Sequence, residues 1–335
     1  MYRYILSSLC GMLFIAGITF VPNQVNASCG SANCFLVTGT QEGIATPGQI
    51  ILDLSYRFIP MDRARKGGKS SSEALVPGIN FSTGEIEPDH HREKRTNNEL
   101  AQIDVTYGIT PRFALTLAIP FLNNRLHEHD VEVGTGDENF SNKDGTSGFG
   151  DVRLTAKYAF RISAKHLLVG GMGVKTPTGE YKLLNHDGEI NEPTIQPGSG
   201  SWDGIVAAYY AYRIIPQRLD AFFSGSYQIA TENELDYKFG NTSLLNGGLN
   251  YPINGEKFTI ISLQINMRQA PHDEFKGEEV PSTGGTWIYL TPGVKVQSSP
   301  GTAFYTHVQL PVYQYVNETN LVPRYGLIVG VSHTF

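Results

Sequence analysis

The feature that most constrains this chain is a period of two in its hydropathy, repeated in segments of about ten residues, the length a tilted strand needs to cross a bilayer. In the first segment Ile50, Leu52, Leu54, Tyr56 and Phe58 fall on one face, while Asp53, Ser55 and Arg57 fall on the other. The same division separates Ala101, Ile103, Val105 and Tyr107 from Gln102, Asp104 and Thr106, and Phe113, Leu115, Leu117, Ile119 and Phe121 from Ala114, Thr116 and Ala118. Val152, Leu154, Ala156, Tyr158 and Phe160 likewise oppose Asp151, Arg153, Thr155 and Lys157. Successive side chains of a strand point to opposite faces, so each segment presents one apolar and one polar surface. Further strands read at 166–175, 203–214, 219–229, 242–251, 258–268, 286–296, 302–312 and 324–335, making twelve in all. In 166–175 the facing is blurred by Gly170, Gly171 and Gly173.

The connections alternate in length. Short links fall at Thr110-Pro111-Arg112, around Ser163, at Pro216-Gln217, Asn254-Gly255 and Ser299-Pro300-Gly301; long ones span 60–98, 123–148, 176–202, 230–241, 269–285 and 313–323. A barrel with periplasmic turns and extracellular loops has this rhythm. The expectation is therefore an all-β, single-domain transmembrane antiparallel barrel of about 12 strands over 49–335, in the outer membrane of a Gram-negative-type cell. A soluble β-sandwich also alternates, but here Tyr56, Phe58, Tyr107, Phe113, Phe121, Tyr158 and Phe160 sit at the ends of the apolar faces, as an interfacial girdle does.

The ends fit export. Residues 1–27 carry Arg3, an uncharged run from Ile5 to Val21 and the small-residue pattern Val25-Asn26-Ala27, which reads as a signal peptide with Ser28 the first mature residue. Beyond it the chain has no further long apolar run, which excludes helical spans, and its net charge of −6 offers nothing to nucleic acid. Cys29 and Cys34 are close enough in sequence to form a small disulfide in an oxidising periplasm. Residues 28–48 either hang in the periplasm or fold into the lumen as a plug; the sequence leaves both open. Phe335 ends an alternating strand with Leu327, Val329 and Val331, the kind of end presented to the barrel-assembly machinery, although His333 breaks its apolar register.

Charged and polar groups cost several kcal/mol each against hydrocarbon. Asp53, Arg57, Asp104, Asp151, Arg153, Lys157, Gln264, Asn266 and Arg268 are accordingly expected to face the lumen, either paired as packing or lining a path. About 12 strands lie between a filled 8-stranded barrel and an open 16-stranded channel, so small or gated permeation by passive diffusion is the expected activity. The competing reading is a non-conducting barrel whose loops dock a surface or envelope partner. Catalysis is not expected: His307 and Ser332-His333 lack a recognisable triad. No cofactor is expected either. The long loops hold Asp89-His90-His91, His127-Glu128-His129-Asp130, His186-Asp187 and His272-Asp273-Glu274. They read as a solvated rim rather than a metal site, although His127 and His129, two apart, could chelate from one strand face. Oligomeric state is not legible.

One set of motifs carries a resemblance. Gly148-Phe149-Gly150-Asp151-Val152-Arg153-Leu154, Lys157-Tyr158, Gly173-Val174-Lys175-Thr176-Pro177-Thr178-Gly179-Glu180-Tyr181 and Gly198-Ser199-Gly200-Ser201-Trp202-Asp203 resemble the outer-membrane transporter family of the MetA pathway of phenol degradation. Tyr107-Gly108-Ile109-Thr110-Pro111-Arg112 and Ala118-Ile119-Pro120-Phe121 fit it too. The likeness covers roughly residues 99–215 and consists of turn and strand punctuation, so it brings no binding residues with it. It implies passage of small, often aromatic or apolar, compounds. A phosphate-cradling loop is excluded at these glycines, because neither a helix pattern nor Gly-Lys-Ser/Thr follows.

Overall fold

The computed structural model describes residues 44–131, 141–142, 144–216, 218–253 and 259–335. The expected signal segment 1–27, Cys29, Cys34 and most of 28–48 lie outside these residues. Twelve strands close into an antiparallel barrel. They are β1 (Ile50–Lys66), β2 (Glu85–Thr110), β3 (Phe113–Val131), β4 (Arg153–Ile162), β5 (His166–Lys175), β6 (Asp203–Ile215), β7 (Leu219–Ile229), β8 (Thr242–Ile253), β9 (Thr259–Ala270), β10 (Gly285–Ser299), β11 (Thr302–Val316) and β12 (Gly326–Thr334). Each pairs with its neighbours in sequence, and β1 closes the ring: Asp53 lies opposite Asp104 of β2 and Ser332 of β12. Since directly opposed residues point the same way, this register sets the polar positions of neighbouring strands on one common face.

That common face is the inside. Leu54, Tyr107, Phe121, Leu154, Met172, Phe223, Leu249, Ile265, Phe304 and Val329 are exposed on the outside, strand after strand, whereas Asp53, Gln102, Asp104, Ser224, Asn246 and Gln264 are buried within. An apolar belt this continuous far exceeds what a soluble surface leaves in water. It is the lipid face of a barrel, with Tyr107, Phe121, Tyr158 and Phe160 exposed along it.

Several strands run further than hydropathy indicates, three of them by a long way. β1 continues to Lys66, β2 begins at Glu85 and β3 reaches Val131, inside links read from sequence as loops. Above the membrane the outer face of a strand meets water instead of lipid and the inner face here buries polar side chains, so the hydropathy pattern vanishes while the backbone ladder continues, as at Asn98↔Arg125 and Thr96↔His127. Bulges at Glu93/Arg95 and Ala101/Gln102 bend this extension. It is backed by a buried apolar cluster of Ile59, Met61, Trp287, Tyr289, Val316, Leu321 and Val322.

A small sheet of Tyr237–Lys238, Asp273–Phe275 and Glu278–Val280 lies beyond the belt at the same end. Its Tyr237 donates to Asp273 Oδ2 at 2.6 Å and Gly240 N–H to Oδ1 at 2.8 Å. Burial nonetheless pushes the Asp273 carboxyl up to about 6, since the two donors only partly offset lost hydration. At the opposite, short-turn end, the chain enters against the inner side of β2: Gly48 N–H donates to Gly108 O at 2.8 Å, and a Cβ on Gly108 would lie 2.0 Å from Thr46 O.

Candidate functional site: the lumen and its in-folded loop

The sequence-derived interior residues divide into two groups. Asp53, Arg57, Asp104, Asp151, Gln264, Asn266 and Arg268 are buried; Arg153 and Lys157 are half-buried and line a cavity. Much of the first group is committed to packing. Tyr305 donates to Asp53 at 2.7 Å across β12, and Gln102 donates to both oxygens of Asp104 at 2.9 Å. Asn266 donates to Asn246 at 2.9 Å and accepts from Thr291, while the Arg268 guanidinium stacks 5.2 Å from the Trp287 ring. The wall from β8 to β11 is therefore largely filled by its own side chains.

The long connection 176–202 does not hang outside. Asn191, Pro193, Ile195, Gln196, Pro197 and Gly198 are buried, and Asn123 of β3, two strands from β5, donates to Pro197 O. Its two ends are tied together by Asp151. One carboxylate oxygen accepts Gly179 N–H at 3.0 Å; the other accepts Ser199 N–H at 2.9 Å, the Ser199 hydroxyl at 2.7 Å and the Lys175 ammonium at 3.1 Å. Lys175, 3 % exposed, also pairs with Asp203 at 2.9 Å, and Asp203 accepts from Ser201 and Gln228. Both carboxylates and the ammonium are thus compensated, which a buried ion cluster requires. The loop returns so tightly that a Cβ on Gly198 would meet the Gly179 backbone at 2.6 Å, so only glycine fits there. Gln196 then braces the loop from within, accepting Leu183 N–H and donating to Leu183 O and Asn191 O. The three glycine-rich segments singled out in the sequence therefore meet at one place: they fold a loop into the barrel.

Two chambers result. Below the loop a cavity of about 180 Å³ is bordered by Gln102, Asp104 and Thr116 on one side and by Gly171, Ala207, Ser224 and Asn246 on the other. Beside the loop a cavity of about 100 Å³, nearer the outer mouth, separates Thr194, Gln196 and Pro197 from Arg125, Gln228 and Arg268 of the wall. Arg153, Ile205 and Ser226 border both, so Arg153 stands where they meet.

His307 points inward beside Ser262, whose Oγ lies 3.4 Å from Nε2, and His333 bonds to Thr302 at 2.7 Å. The long Ser262–His307 contact brings no carboxylate to His307 among the described residues. Histidines read as a solvated rim sit differently from that expectation. His127 is 1 % exposed and His129 12 %, both inside the outer mouth, and β2 brings His91 and Glu93 beside them. These groups lie beyond the lipid belt. Burial alone would depress His91, but the Glu192 and Glu93 carboxylates outweigh it and raise it to about 9. Burial, then the neighbouring His91 and His127, hold His129 down at about 3, so it is neutral.

Residues 93–319 match the family model described as "Putative MetA-pathway of phenol degradation". Among solved structures the chain resembles the COG4313 outer membrane channel of Pseudomonas putida F1, at 13% identity and TM-score 0.62, covering 90% of this chain and 100% of that one. Fainter likenesses are to a Pseudomonas aeruginosa FadL homologue (11% identity, TM-score 0.43, 93% and 98% covered) and to the P. putida toluene transporter TodX (10%, 0.42, 92% and 97%). No curated protein sequence matches the chain. The closed barrel, its lipid belt and the family together make this an outer-membrane protein.

Proposed function

Because the chain belongs to the family of the putative MetA pathway of phenol degradation, matched over residues 93–319, we propose that it is a gated channel passing small solutes, aromatic ones among them, by diffusion. The observation that carries this reading is the stacking of two chambers around Arg153 along a wall of small residues, Gly171 and Ala207 above all. The chambers suit a solute of one ring: Ile205, Val169 and Tyr209 supply apolar contact, while Gln102, Thr116 and Ser224 supply hydrogen bonds. Loop 176–202 restricts the way through and is the gate. Nothing in this reading calls for bond-making chemistry.

The test is swelling of protein-loaded liposomes in isotonic hydroxybenzoate, an ionised aromatic that crosses lipid slowly, compared with a sugar of similar size. Faster swelling with the aromatic is expected. Rates equal to protein-free vesicles for both solutes would remove the transport reading and leave a closed structural barrel, which the in-folded loop also accommodates.

A further inference from the structure

At the outer mouth, three imidazoles and two carboxylates converge from three parts of the chain. His91 and Glu93 come from β2, His127 and His129 from β3, and Glu192 from the in-folded loop. Candidate ligand atoms of His91, His127 and His129 all lie within 4.8 Å of one another, and so do those of His91, Glu93 and Glu192. His91 Nε2 is 3.1 Å from Glu192 and 3.3 Å from Glu93. A solvated rim would leave these rings in water; here His91 and His127 are about as buried as any side chain in the protein.

The outer partners of the rings decide what remains. Thr96 Oγ1 lies 2.9 Å from His127 Nδ1 and Glu93 lies 3.5 Å from the same atom, so the proton belongs on Nδ1 and the lone pair on Nε2. Asp144 sits 3.5 Å from His129 Nε2, which leaves the lone pair on Nδ1. His127 Nε2 and His129 Nδ1 are also buried without any hydrogen-bond partner among the described residues. Two bare imidazole nitrogens, one ring oriented by its hydrogen bond to Thr96 and the other by the Asp144 carboxylate beside it, together with a third imidazole and two carboxylates, form the donor set of a zinc-type ion.

The geometry points to a divalent transition-metal site formed by His91, His127, His129, Glu93 and Glu192, which clamps loop 176–202 to the β2–β3 wall. Glu192 immediately precedes the Pro193–Ile195 turn, which borders both the upper chamber and the space beside His127, so a ligand bond to it fixes the loop next to that turn, at the outer mouth. The site does not depend on the transport reading, since binding is measured without flux.

The experiment uses the full mature chain, free of any histidine tag, stripped with chelator and titrated with zinc chloride in detergent. One zinc per chain is expected, with Co²⁺ in its place giving the d–d absorption of a low-coordinate nitrogen and oxygen site. The double variant His127→Gln, His129→Gln should bind at least about 100-fold more weakly and Glu192→Gln about 10-fold, whereas His166→Gln at the far rim should not change. Zinc should also slow tryptic cleavage after the exposed Lys182 of the loop, and Glu192→Gln should abolish that protection. Heat-modifiable gel migration reports folding; should the double variant fail it, Glu192→Gln and the cobalt spectrum of the unmodified chain decide. No stoichiometric uptake by the unmodified chain, or equal uptake in a folded double variant, would overturn the site.

Discussion

Along β4 to β7 the inward positions include Thr155, Gly171, Ala207, Ser224 and Ser226, whereas along β9 to β11 they include Gln264, Arg268, Trp287, Tyr289 and Gln309. Both stretches obey the same alternation and the same ladder. One leaves a cavity of about 180 Å³; the other is packed with side chains that bond to one another. The openness of a barrel of this size is thus decided by side-chain volume on one arc of the wall, and strand number sets only the space to be filled. It also separates polar groups that line space, such as Arg153 and Lys157, from those that serve as packing, such as Asp53 and Gln264.

The sharpest way to break this comparison is to fill the small-residue arc. Ala207→Trp should cut single-channel conductance at least about tenfold, because an indole occupies most of the lower cavity. Ala208→Trp, one residue on and facing lipid, should leave it unchanged; equal loss in both would mean the arc is not the route. On the filled arc the converse holds. Trp287→Ala should cost about 3–5 kcal/mol in urea unfolding from detergent, yet open no larger conductance.

A smaller effect sharpens the contrast between barrel and cap. The Asp273 carboxyl titrates at about 6 when folded against an ordinary value of 3.8, so the folded state holds its proton more tightly. Its contribution is fully present below about pH 4 and is lost as pH rises through 6, by about 1–3 kcal/mol at most. Proteolysis of the cap followed from pH 4 to 7 should show this slope, and Asp273→Asn should flatten it. Smallest is a shift in selectivity: Arg153→Gln should move the cation-to-anion permeability ratio toward cations severalfold, with Lys157→Gln next and Arg57→Gln and Arg268→Gln least. An unchanged ratio in a conducting Arg153→Gln barrel would remove Arg153 from the path.

The wall was legible because lipid imposes a strict rule on it: strands 166–175 and 219–229 match the structure at both ends, and 203–214 falls one residue short of Ile215. Water imposes no such rule, so the extensions 60–66 and 85–98 looked like loops. The in-folded segment was hidden for a related reason, since Pro193-Thr194-Ile195-Gln196-Pro197 has the composition of a surface loop. Its traces were the low charge of that stretch and the excess of glycine beside Asp151 and Asp203. The histidine cluster was half visible, as His127 and His129 two apart on a strand. The pairing of β2 with β3 that adds His91 and Glu93 exists only once the ladder is extended past the membrane.

The central claim, that loop 176–202 gates a path along the small-residue arc, is tested most directly in planar bilayers by comparing the protein from Ser28 onward with a version in which residues 182–196 are replaced by a short glycine-serine link. The account predicts small or brief current steps in the first and large, steady steps in the second. Silence in both folded proteins, or identical steps in both, would contradict it.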